Sequence, residues 1–501
     1  MLRPRHVAAV GGAWARNVVQ SCLNSGFDGQ VWPVHNLRSS VMGIRCFKSV
    51  ADLPCPPDCT FIGVNRTATI DVVLELRRMG AGGAICFASG FAESYAEDEQ
   101  GEDLQKALKE AAGDMPVLGP NCYGLINYLD NAPIWPDVHG GIRRERGVAL
   151  VCQSSNIALN LTMQSRGLPL AYVVTVGNQA VVSQAAIASS LLDDSRVTAI
   201  GLYVEGFGDI REYASLARRA RARRVPVVVL KAGVSGPTRS LTMSHTSSLA
   251  GSPEASRALL KRLDFGQVNS VTELVETLKL LHLFGPLPGR NLGAMSCSGG
   301  EACLMADSAC HADVRFPSLH EKQSDALRST LGPMVHLSNP LDYHTYLWGR
   351  QQALQDVFHA MMLGSYDLTC LVIDFPRADR CRYPSWKPAI HALRGASEET
   401  GSRAAVVATL HENLPEDWSE DLMNMGIVPF HGIGDALRAA AVAADIGVGW
   451  GSKKLPISTA LAKHGDRRRT LMDIEARDEF AGTELKFPQV LFARDCRELE
   501  E

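Results

Sequence analysis

Short apolar runs alternate with longer helical patterns along almost the whole chain of 501 residues. This alternation is typical of parallel β-sheets whose strands are joined by crossover helices. In the first third of the chain the predicted strands are His6–Val10, Gln30–Val34, Thr60–Val64, Ala84–Phe87 and Pro116–Leu118. With a helix predicted over Thr67–Met79, this part has the pattern of a nucleotide-binding α/β domain.

Two further series of apolar runs follow, each after a stretch typical of a linker. The polar stretch Asp137–Arg146 precedes the first series, and the Pro/Gly-rich segment Gly285–Arg290 precedes the second. The predicted strands are Val148–Cys152, Leu170–Val174, Val197–Val204, Val225–Lys231 and Gln267–Val268, then Leu292–Met295, Leu368–Ile373, Ala404–Ala408 and Ile427–Pro429. We therefore expect an α/β fold of three consecutive domains, over residues 1–135, 145–285 and 290–450, followed by a connector over 451–501.

Composition excludes several classes of protein. The net charge of −4 and the absence of a basic stripe argue against a nucleic-acid partner, and the apolar runs are too short to cross a bilayer. The first predicted strand begins too early to leave room for a signal peptide. None of the 13 cysteines forms a C-x-x-C pair, which argues against a zinc site, and several lie in apolar runs. We expect a cytoplasmic protein with no metal site and no membrane partner.

His245 is the strongest candidate for catalysis. It lies in the polar, hydroxyl-rich segment Arg239–Gly251, which follows a predicted strand. Imidazole is among the groups that form covalent catalytic intermediates, and its neutral form is available near pH 7. Glu205 follows another predicted strand, and a carboxylate beside an imidazole fixes its tautomer. The alternatives are a solvated loop histidine and a surface glutamate.

Three turns are candidate ligand sites. Gly11, Gly12 and Ala13 follow the first predicted strand, where glycines let a phosphate approach the backbone of a helix start. The second strand ends before His35-Asn36, without the carboxylate that a nicotinamide ribose requires, so coenzyme A fits better. Pro120-Asn121 and Ser154-Ser155 also follow predicted strands. A tight turn, a plain Pro-Asn turn and simple helix capping are the respective alternatives.

Taken in order, these motifs match one family over roughly residues 5 to 450. The carrying segments are Val10–Ala13, Phe27–Val34, Leu118–Asn127, Gln153-Ser154, Val176–Asn178, Leu202–Gly206, Val229–Gly233, Ser244–Gly251, Gly299-Gly300 and Ser338–Asp342. They resemble the α-subunit portion of the NDP-forming acyl-CoA synthetases, the ADP-forming acetyl-CoA synthetase branch of the succinyl-CoA synthetase superfamily. The resemblance implies a Rossmann-like CoA-binding domain followed by two flavodoxin-like domains.

The resemblance also implies a phosphohistidine relay. His245 would carry the phosphoryl group and Glu205 would orient it, while the phosphate would be held by Ser154, Ser155, Asn156, Gly177 and Asn178. A carboxylic acid would take the phosphoryl group and would then form a thioester with coenzyme A. The coenzyme would contact Gly11, Gly12, Ala13, Asn36, Ala88, Ser89, Gly90, Pro120 and Asn121.

In this family an ATP-grasp module binds ATP or GTP with Mg2+, and the chain contains only what resembles its opening, from Thr470. The resemblance therefore implies that the rest of the ATP-grasp module lies on a separate β-type subunit, in a homo- or hetero-oligomer, or on a segment that was removed from this chain. The chain departs from the family in its first glycine loop and in Gln179–Gln184, where acidic residues are usual. A non-catalytic regulatory protein that binds coenzyme A or its acyl derivatives remains the main alternative, and a dehydrogenase is disfavoured.

Overall fold

The computed structural model describes residues 1–94, 100–233, 252–382, 384, 386–452, 475, 477 and 481. Residues Met1–Ser458 form one unit with three β-sheets flanked by helices. The predicted α/β class is confirmed by these sheets. The predicted opening of an ATP-grasp module, from Thr470, lies outside the described residues except at three isolated positions.

The first sheet is formed by five parallel strands in the order β2-β1-β5-β6-β7. Its strands are short buried runs, and α1 and α2 both end at glycines in the left-handed conformation. A small hairpin, β3–β4, lies beside it. The elements are β1 (His6–Gly11), α1 (Ala13–Ser25), β2 (Gln30–Val34), β3 (Ser40–Val41), β4 (Ile44–Arg45), β5 (Cys59–Gly63), α2 (Arg66–Met79), β6 (Ala84–Cys86), α3 (Gly101–Ala112) and β7 (Val117–Leu118).

The second sheet has seven strands in the order β14-β13-β12-β10-β11-β8-β9. Serine or aspartate side chains cap the N-termini of its helices α4 to α8. The elements are β8 (Leu125–Asn127), β9 (Ala132–Ile134), β10 (Gly147–Cys152), α4 (Ser155–Thr162), β11 (Leu170–Thr175), α5 (Gln184–Leu191), β12 (Val197–Val204), α6 (Ile210–Arg223), β13 (Val227–Lys231), α7 (Pro253–Arg262), β14 (Gly266–Val268) and α8 (Val271–Phe284).

The third sheet again has five parallel strands, in the order β16-β15-β17-β18-β19. Helix α14 leaves its last strand and packs against α8 of the second sheet, so these two helices join the second and third sheets. The elements are β15 (Leu292–Ser296), α9 (Gly299–Ala309), α10 (Glu321–Leu331), β16 (Leu341–Asp342), α11 (Gln351–Met362), β17 (Leu368–Val372), α12 (Trp386–Thr400), β18 (Ala404–Ala408), α13 (Glu416–Asn424), β19 (Ile427–His431) and α14 (Ile433–Gly451).

The parallel strands of all three sheets share one topology. Counted along the chain within each sheet, their order is 2-1-3-4-5, which is the doubly wound order of flavodoxin-like folds. Ligands bind such sheets at the carboxyl ends of the first and third strands, where the strand order reverses. The fold therefore places one potential site on each sheet, over β1/β5, β10/β12 and β15/β17.

The two antiparallel strands of the molecule's second sheet come from an unexpected part of the chain. The sequence predicts a first domain over residues 1–135, but β8 pairs with β11 and β9 pairs with β8. The hairpin therefore extends the edge of the second sheet, directly after the turn that follows β7. Neither strand was predicted, because each has only three residues and the strand that joins them to the sheet, β11, lies about 45 residues from β8.

A buried group of charges lies where α8 meets the third sheet. We call Arg166, Glu276, Lys279 and His431 the ion cluster. The side chains of Glu276 and Lys279 are fully buried, with 2.7 Å between carboxylate and ammonium groups, and Arg166 donates to Glu276 at 2.9 Å. Lys279 Nζ also lies 3.1 Å from His431 Nδ1, and the His431 amide donates to Glu276 at 3.2 Å. These contacts tie the second sheet to β19.

Candidate active site

One cavity of about 820 Å³ lies over the reversal points of both the first and the second sheet. From the first sheet it is lined by Gly63–Arg66, at the end of β5, and by Trp14 on α1. From the second sheet it is lined by Gln153–Ser155, at the end of β10, and by Glu205, at the end of β12. Its volume is in the range of cavities that hold small-molecule ligands. The two doubly wound sheets thus share one candidate site.

The first sheet presents a polar rim to this cavity. Asn65 caps α2 by accepting the Ala68 amide at 2.9 Å. Arg66 begins that helix, and its guanidinium donates to the Gly90 carbonyl at 2.6 Å. This bond connects the ends of β5 and β6, and it places a positive group at the wall of the cavity.

The second sheet presents a helix start and a carboxylate. Ser154 caps α4 by accepting the Ile157 amide at 3.4 Å, so the first turn of α4 begins at the cavity. The amides of a first helical turn lack helical partners and carry the positive end of the helix dipole. An anion at Ser154-Ser155 is therefore favoured electrostatically.

Gln153 holds the backbone around Glu205 in place. Its side-chain oxygen accepts the amides of Glu205 and Gly206 at 2.6 and 2.9 Å, and its nitrogen donates to the Gly206 carbonyl at 2.7 Å. Lys231 adds a fourth bond, from its ammonium group to the Glu205 carbonyl at 2.7 Å. Burial lowers the pKa of Lys231, while the Glu205 charge opposes that shift. The backbone that carries the carboxylate is therefore fixed from two strands.

The turn after β7 connects the two halves of the site. The Asn121 amide donates to the Ala88 carbonyl at 2.9 Å, and the Asn178 amide donates to the Pro120 carbonyl at 3.0 Å. Gly177 has a φ of +48°, and a Cβ there would lie 2.1 Å from the Pro120 oxygen, so only glycine fits. The Asn178 side chain also donates to the Glu93 carboxylate. Backbone contacts thus hold the loop after β11 against the first sheet.

Two buried thiols lie beside the cavity, and neither is a nucleophile near neutral pH. Burial raises the pKa of Cys122, which lines the cavity, to about 12, and it does the same for Cys152 at the end of β10. A thiol is a nucleophile only as its thiolate. Neither group can therefore supply the nucleophile near neutral pH.

The cavity brings together about half of the residues predicted for the site. The predicted residues that line it are Ala88, Ser89, Asn121, Ser154, Ser155, Gly177, Asn178 and Glu205. Gly11, Gly12 and Ala13 lie at the start of α1, one residue from Trp14. His245 lies outside the described residues. The roles assigned to all these residues stay predictions.

The other predicted residues lie apart from the lining. Asn156 is exposed on the first turn of α4, and Pro120 is buried in the turn after β7. Gly90 accepts the Arg66 bond. Asn36 is exposed beyond β2, where its carbonyl accepts a bond from Lys48 at 3.1 Å. For each of these four residues the sequence indicated the strand that precedes it. It did not indicate the direction that the loop after that strand takes.

Several lining residues were not predicted as site residues. They are Trp14, Gly63, Val64, Asn65, Arg66, Phe87, Cys122, Tyr123 and Gln153. Most directly follow a predicted strand or a predicted turn, which was the signal available in the sequence. The Val64–Arg66 group could have been found from the strand order, since the third strand of a doubly wound sheet lines the site.

Among the described residues, no group of three histidine, cysteine, aspartate or glutamate side chains is arranged to hold a metal ion. In that same part of the chain, no helix has both the length and the apolar character required to cross a bilayer.

Comparisons with known proteins agree with this architecture. Residues 5–128 match the model of a CoA binding domain, and residues 145–281 match that of a succinyl-CoA ligase like flavodoxin domain. Dinucleotide-forming acetyl-coenzyme A synthetase 1 from Ca. Korarchaeum cryptofilum, solved with phosphate and ADP, superposes with a TM-score of 0.76 at 21% identity. That match covers 90% of this chain and 97% of the other, and it supports the fold alone.

Two relatives extend the comparison to sequence. A trans-feruloyl-CoA synthase from an unknown prokaryotic organism is 27% identical over 462 residues, which cover 89% of this chain and 64% of the relative. The subunit alpha of ADP-forming acetate–CoA ligase II from Pyrococcus furiosus is 30% identical over 319 residues, which cover 63% of this chain and 68% of that subunit. In seven curated relatives, the match spans between 48% and 75% of their own length.

The predicted resemblance and the predicted fold are confirmed by these matches. The CoA-binding match lies on the first sheet, and the succinyl-CoA ligase match lies on the second. The chain belongs to the NDP-forming acyl-CoA synthetase family, in the branch of the ADP-forming acetyl-CoA synthetases.

Proposed function

We propose that this chain is the α-type part of an NDP-forming acid–thiol ligase, which carries the CoA-binding and phosphohistidine-bearing domains. The observation that carries the proposal is the shared cavity. It joins the reversal point of a CoA-binding sheet to a helix start and a carboxylate on a ligase-type sheet. A merely structural contact between two domains would not leave about 820 Å³ open over both reversal points.

The first sheet offers a suitable place for the coenzyme A diphosphate. Helix α1 begins at Gly12 with no capping bond from a described side chain, and a Cβ at Gly12 would meet nothing within 4 Å. Backbone amides at an open helix start suit a diphosphate. Gly11 has another role, because a Cβ there would lie 2.5 Å from the Gly63 oxygen. It allows β1 and β5 to end close together.

The proposed chemistry has three balanced steps. The γ-phosphoryl group of ATP or GTP passes to the His245 ring nitrogen, with loss of the nucleoside diphosphate and a ring proton. A carboxylate oxygen of the substrate then takes the phosphoryl group from nitrogen, which gives an acyl phosphate and restores the imidazole. Finally the acyl carbon exchanges phosphate for the coenzyme A sulfur, whose proton is lost, so the products are acyl-CoA and inorganic phosphate.

The described residues support these steps by position and charge. The start of α4 at Ser154-Ser155 would stabilise the transferred phosphoryl group with amides that need no rearrangement. Glu205 would hold the tautomer of His245 and would stabilise its cation. Lys231 and Gln153 are positioning residues, because they hold the backbone of Glu205.

The nucleotide and its Mg2+ would be bound mainly by an ATP-grasp module on a β-type subunit. Two relatives from Pyrococcus furiosus are named as alpha subunits of acetate–CoA ligases, and this supports such a division of the enzyme. The substrate would be a carboxylic acid, and the relatives differ in the acid they are named for.

The reverse half-reaction tests the proposal without any nucleotide. Acyl-CoA and radiolabelled phosphate would give acyl phosphate and then phosphohistidine, so the purified chain should acquire an acid-labile, base-stable label. We expect His245→Ala to abolish the label, and His311→Ala, at an exposed histidine of the third domain, to retain it. Because Glu205 orients the acceptor, Glu205→Gln should reduce labelling by about a hundredfold.

Two results would contradict the proposal. One is a label that survives His245→Ala. The other is tight binding of acyl-CoA by the chain with no label under any condition, including addition of a β-type ATP-grasp subunit. The second result would favour the non-catalytic regulatory alternative.

A further inference from the structure

One wall of the cavity is aromatic, although the rest of its lining is mainly polar. We call Trp14, Phe87 and Tyr123 the aromatic wall. The ring centres of Trp14 and Phe87 lie 5.1 Å apart, and those of Phe87 and Tyr123 lie 6.0 Å apart. All three rings line the cavity, and Trp14 is 43% exposed. Apolar rings left facing an open cavity indicate a surface that a ligand covers.

Buried rings fix the aromatic wall from behind. The fully buried Phe61 lies 5.6 Å from Phe87, at an angle of 47°. Trp135, which is also fully buried, meets Tyr123 edge-on at 5.3 Å, and its indole nitrogen donates to the Val138 carbonyl at 3.3 Å. These contacts restrict the rings of Phe87 and Tyr123. A preformed rigid surface binds a flat ligand at a low cost in conformational entropy.

The wall runs from the coenzyme side of the cavity to its phosphate side. Trp14 lies on the first turn of α1, beside the proposed diphosphate site. At the other end, the Tyr123 amide donates to the Ser155 hydroxyl at 3.1 Å, so this ring adjoins the start of α4. A molecule lying on Phe87 and Tyr123 therefore has one end at the position proposed for phosphoryl transfer.

The polar side chains around the cavity lie mainly after strands other than those that precede the aromatic wall. Asn65, Arg66, Asn178 and Glu205 line it together with the aromatic wall. Such a lining would bind a ligand that is flat and apolar along one side and has a charged end. Acetate has no apolar side of this size and would leave the wall uncovered.

We propose that the acid activated at this site is an aryl carboxylic acid, with the ring directly on the carboxyl group or separated from it by a short rigid linker. This inference rests on the proposed function and specifies its substrate class. The ring stacks on Phe87 and Tyr123, and the carboxylate reaches the start of α4. Trp14, at the other end of the wall, faces the coenzyme and contributes little to the choice of acid.

The test compares two thioesters in the reverse labelling assay. The purified chain is incubated with radiolabelled phosphate and either cinnamoyl-CoA or acetyl-CoA. We expect cinnamoyl-CoA to label His245 with a kcat/KM at least about tenfold higher than acetyl-CoA, in line with the stabilisation expected from two aromatic contacts. Phe87→Leu and Tyr123→Leu, which retain apolar volume, should each reduce this preference by a factor of about three or more.

Two control variants make the result specific. Trp14→Leu should raise the KM of both thioesters by a similar factor, because it acts through the coenzyme. Tyr346→Leu, at a half-exposed ring of the third domain, should leave both rates unchanged. A preference below twofold, a preference for acetyl-CoA, or a preference that survives both Phe87→Leu and Tyr123→Leu would overturn the inference.

Failure of the proposed function gives a different result. If neither thioester labels the chain, even after addition of a β-type ATP-grasp subunit, the relay is contradicted, and equilibrium binding of cinnamate and acetate to the full chain then decides the substrate class. Cinnamate binding that weakens in Phe87→Leu would uphold the aryl ligand, and equal affinities would refute it.

Discussion

The two contacts between neighbouring sheets of this protein are built in opposite ways. At the junction of the second and third sheets, the ion cluster is closed: Glu276 and Lys279 are fully buried, and His431 is 3% exposed. At the junction of the first and second sheets, the polar groups of Gln153 and Glu205 border an open cavity. Both junctions contain glutamate and arginine side chains, but only one junction leaves room for a ligand.

The two junctions differ in what their polar groups do: those of the ion cluster stabilise the fold, and those at the cavity face a candidate ligand site. Every charge of the ion cluster contacts another member or a backbone group, which is what burial of a charge requires. At the cavity, Gln153 and Lys231 form hydrogen bonds with the backbone of Glu205. These bonds fix that backbone, and Glu205 lines the cavity. Perturbed groups occur in both regions, so a shifted pKa alone would not identify the site.

The largest effect is expected from breaking the ion cluster. Glu276→Leu would leave the buried Lys279 and the partly buried Arg166 without their shared carboxylate, and we expect a loss of about 3–5 kcal/mol in the free energy of unfolding. Urea denaturation followed by circular dichroism measures it. The matched control is Glu398→Leu, which breaks an exposed pair with Arg394 on α12 and should cost at most about 1 kcal/mol. Equal losses in the two variants would contradict the assigned difference.

A smaller effect is expected from acid, again at the ion cluster. Burial, reinforced by Lys279 and Arg166, lowers the pKa of His431 to about 2, below its ordinary value of 6.5. Between these two pH values, His431 therefore binds a proton in the unfolded chain but not in the folded chain. This histidine's contribution to stability is complete above pH 6.5 and is lost as the pH falls toward about 2, by about 1.4 kcal/mol per pH unit.

The measurement is the difference between the wild type and His431→Gln in urea denaturation at pH 7, 6, 5 and 4. The wild type should lose more stability on acidification than the variant. Burial also lowers the pKa of His282, to about 4, but this residue is present in both proteins and cancels in the difference. Parallel pH profiles would show that His431 does not have the environment described.

The smallest effect is expected from the thiol at the cavity wall. Because burial raises the pKa of Cys122 to about 12, it is protonated at neutral pH and takes no part in phosphoryl transfer. Cys122→Ala should leave the rate of His245 labelling within about twofold of the wild type. A loss of tenfold or more in a variant with an unchanged circular dichroism spectrum would give the thiol a role in the site.

Much of the fold could be predicted from sequence because local patterns determine it. The strands Gln30–Val34, Val197–Val204 and Ala404–Ala408 have the predicted bounds, since each is an apolar run closed by turn residues. The order of the strands and the attachment of the β8–β9 hairpin to β11 depend on pairing between distant segments. Such pairing is decided by packing, which no local pattern records.

The site was predicted where a motif marks a strand end and missed where position depends on a loop. Ser154 and Glu205 lie within two residues of a strand end, and both line the cavity. Asn36 also follows a strand, but the chain turns away after β2 and leaves it exposed. The aromatic wall was missed for a different reason. Its members come from three separate segments, and only the folded chain places their rings in a row.

The β8–β9 hairpin has a consequence for how the molecule can be divided. Its strands follow the first sheet along the chain, but they form the edge of the second. Cutting near residue 135 would therefore remove two strands from the second sheet and expose the edge of β11 to solvent and to aggregation. The first two sheets are not interchangeable modules. They would be expressed, exchanged between relatives or lost in evolution as one piece, together with the cavity between them.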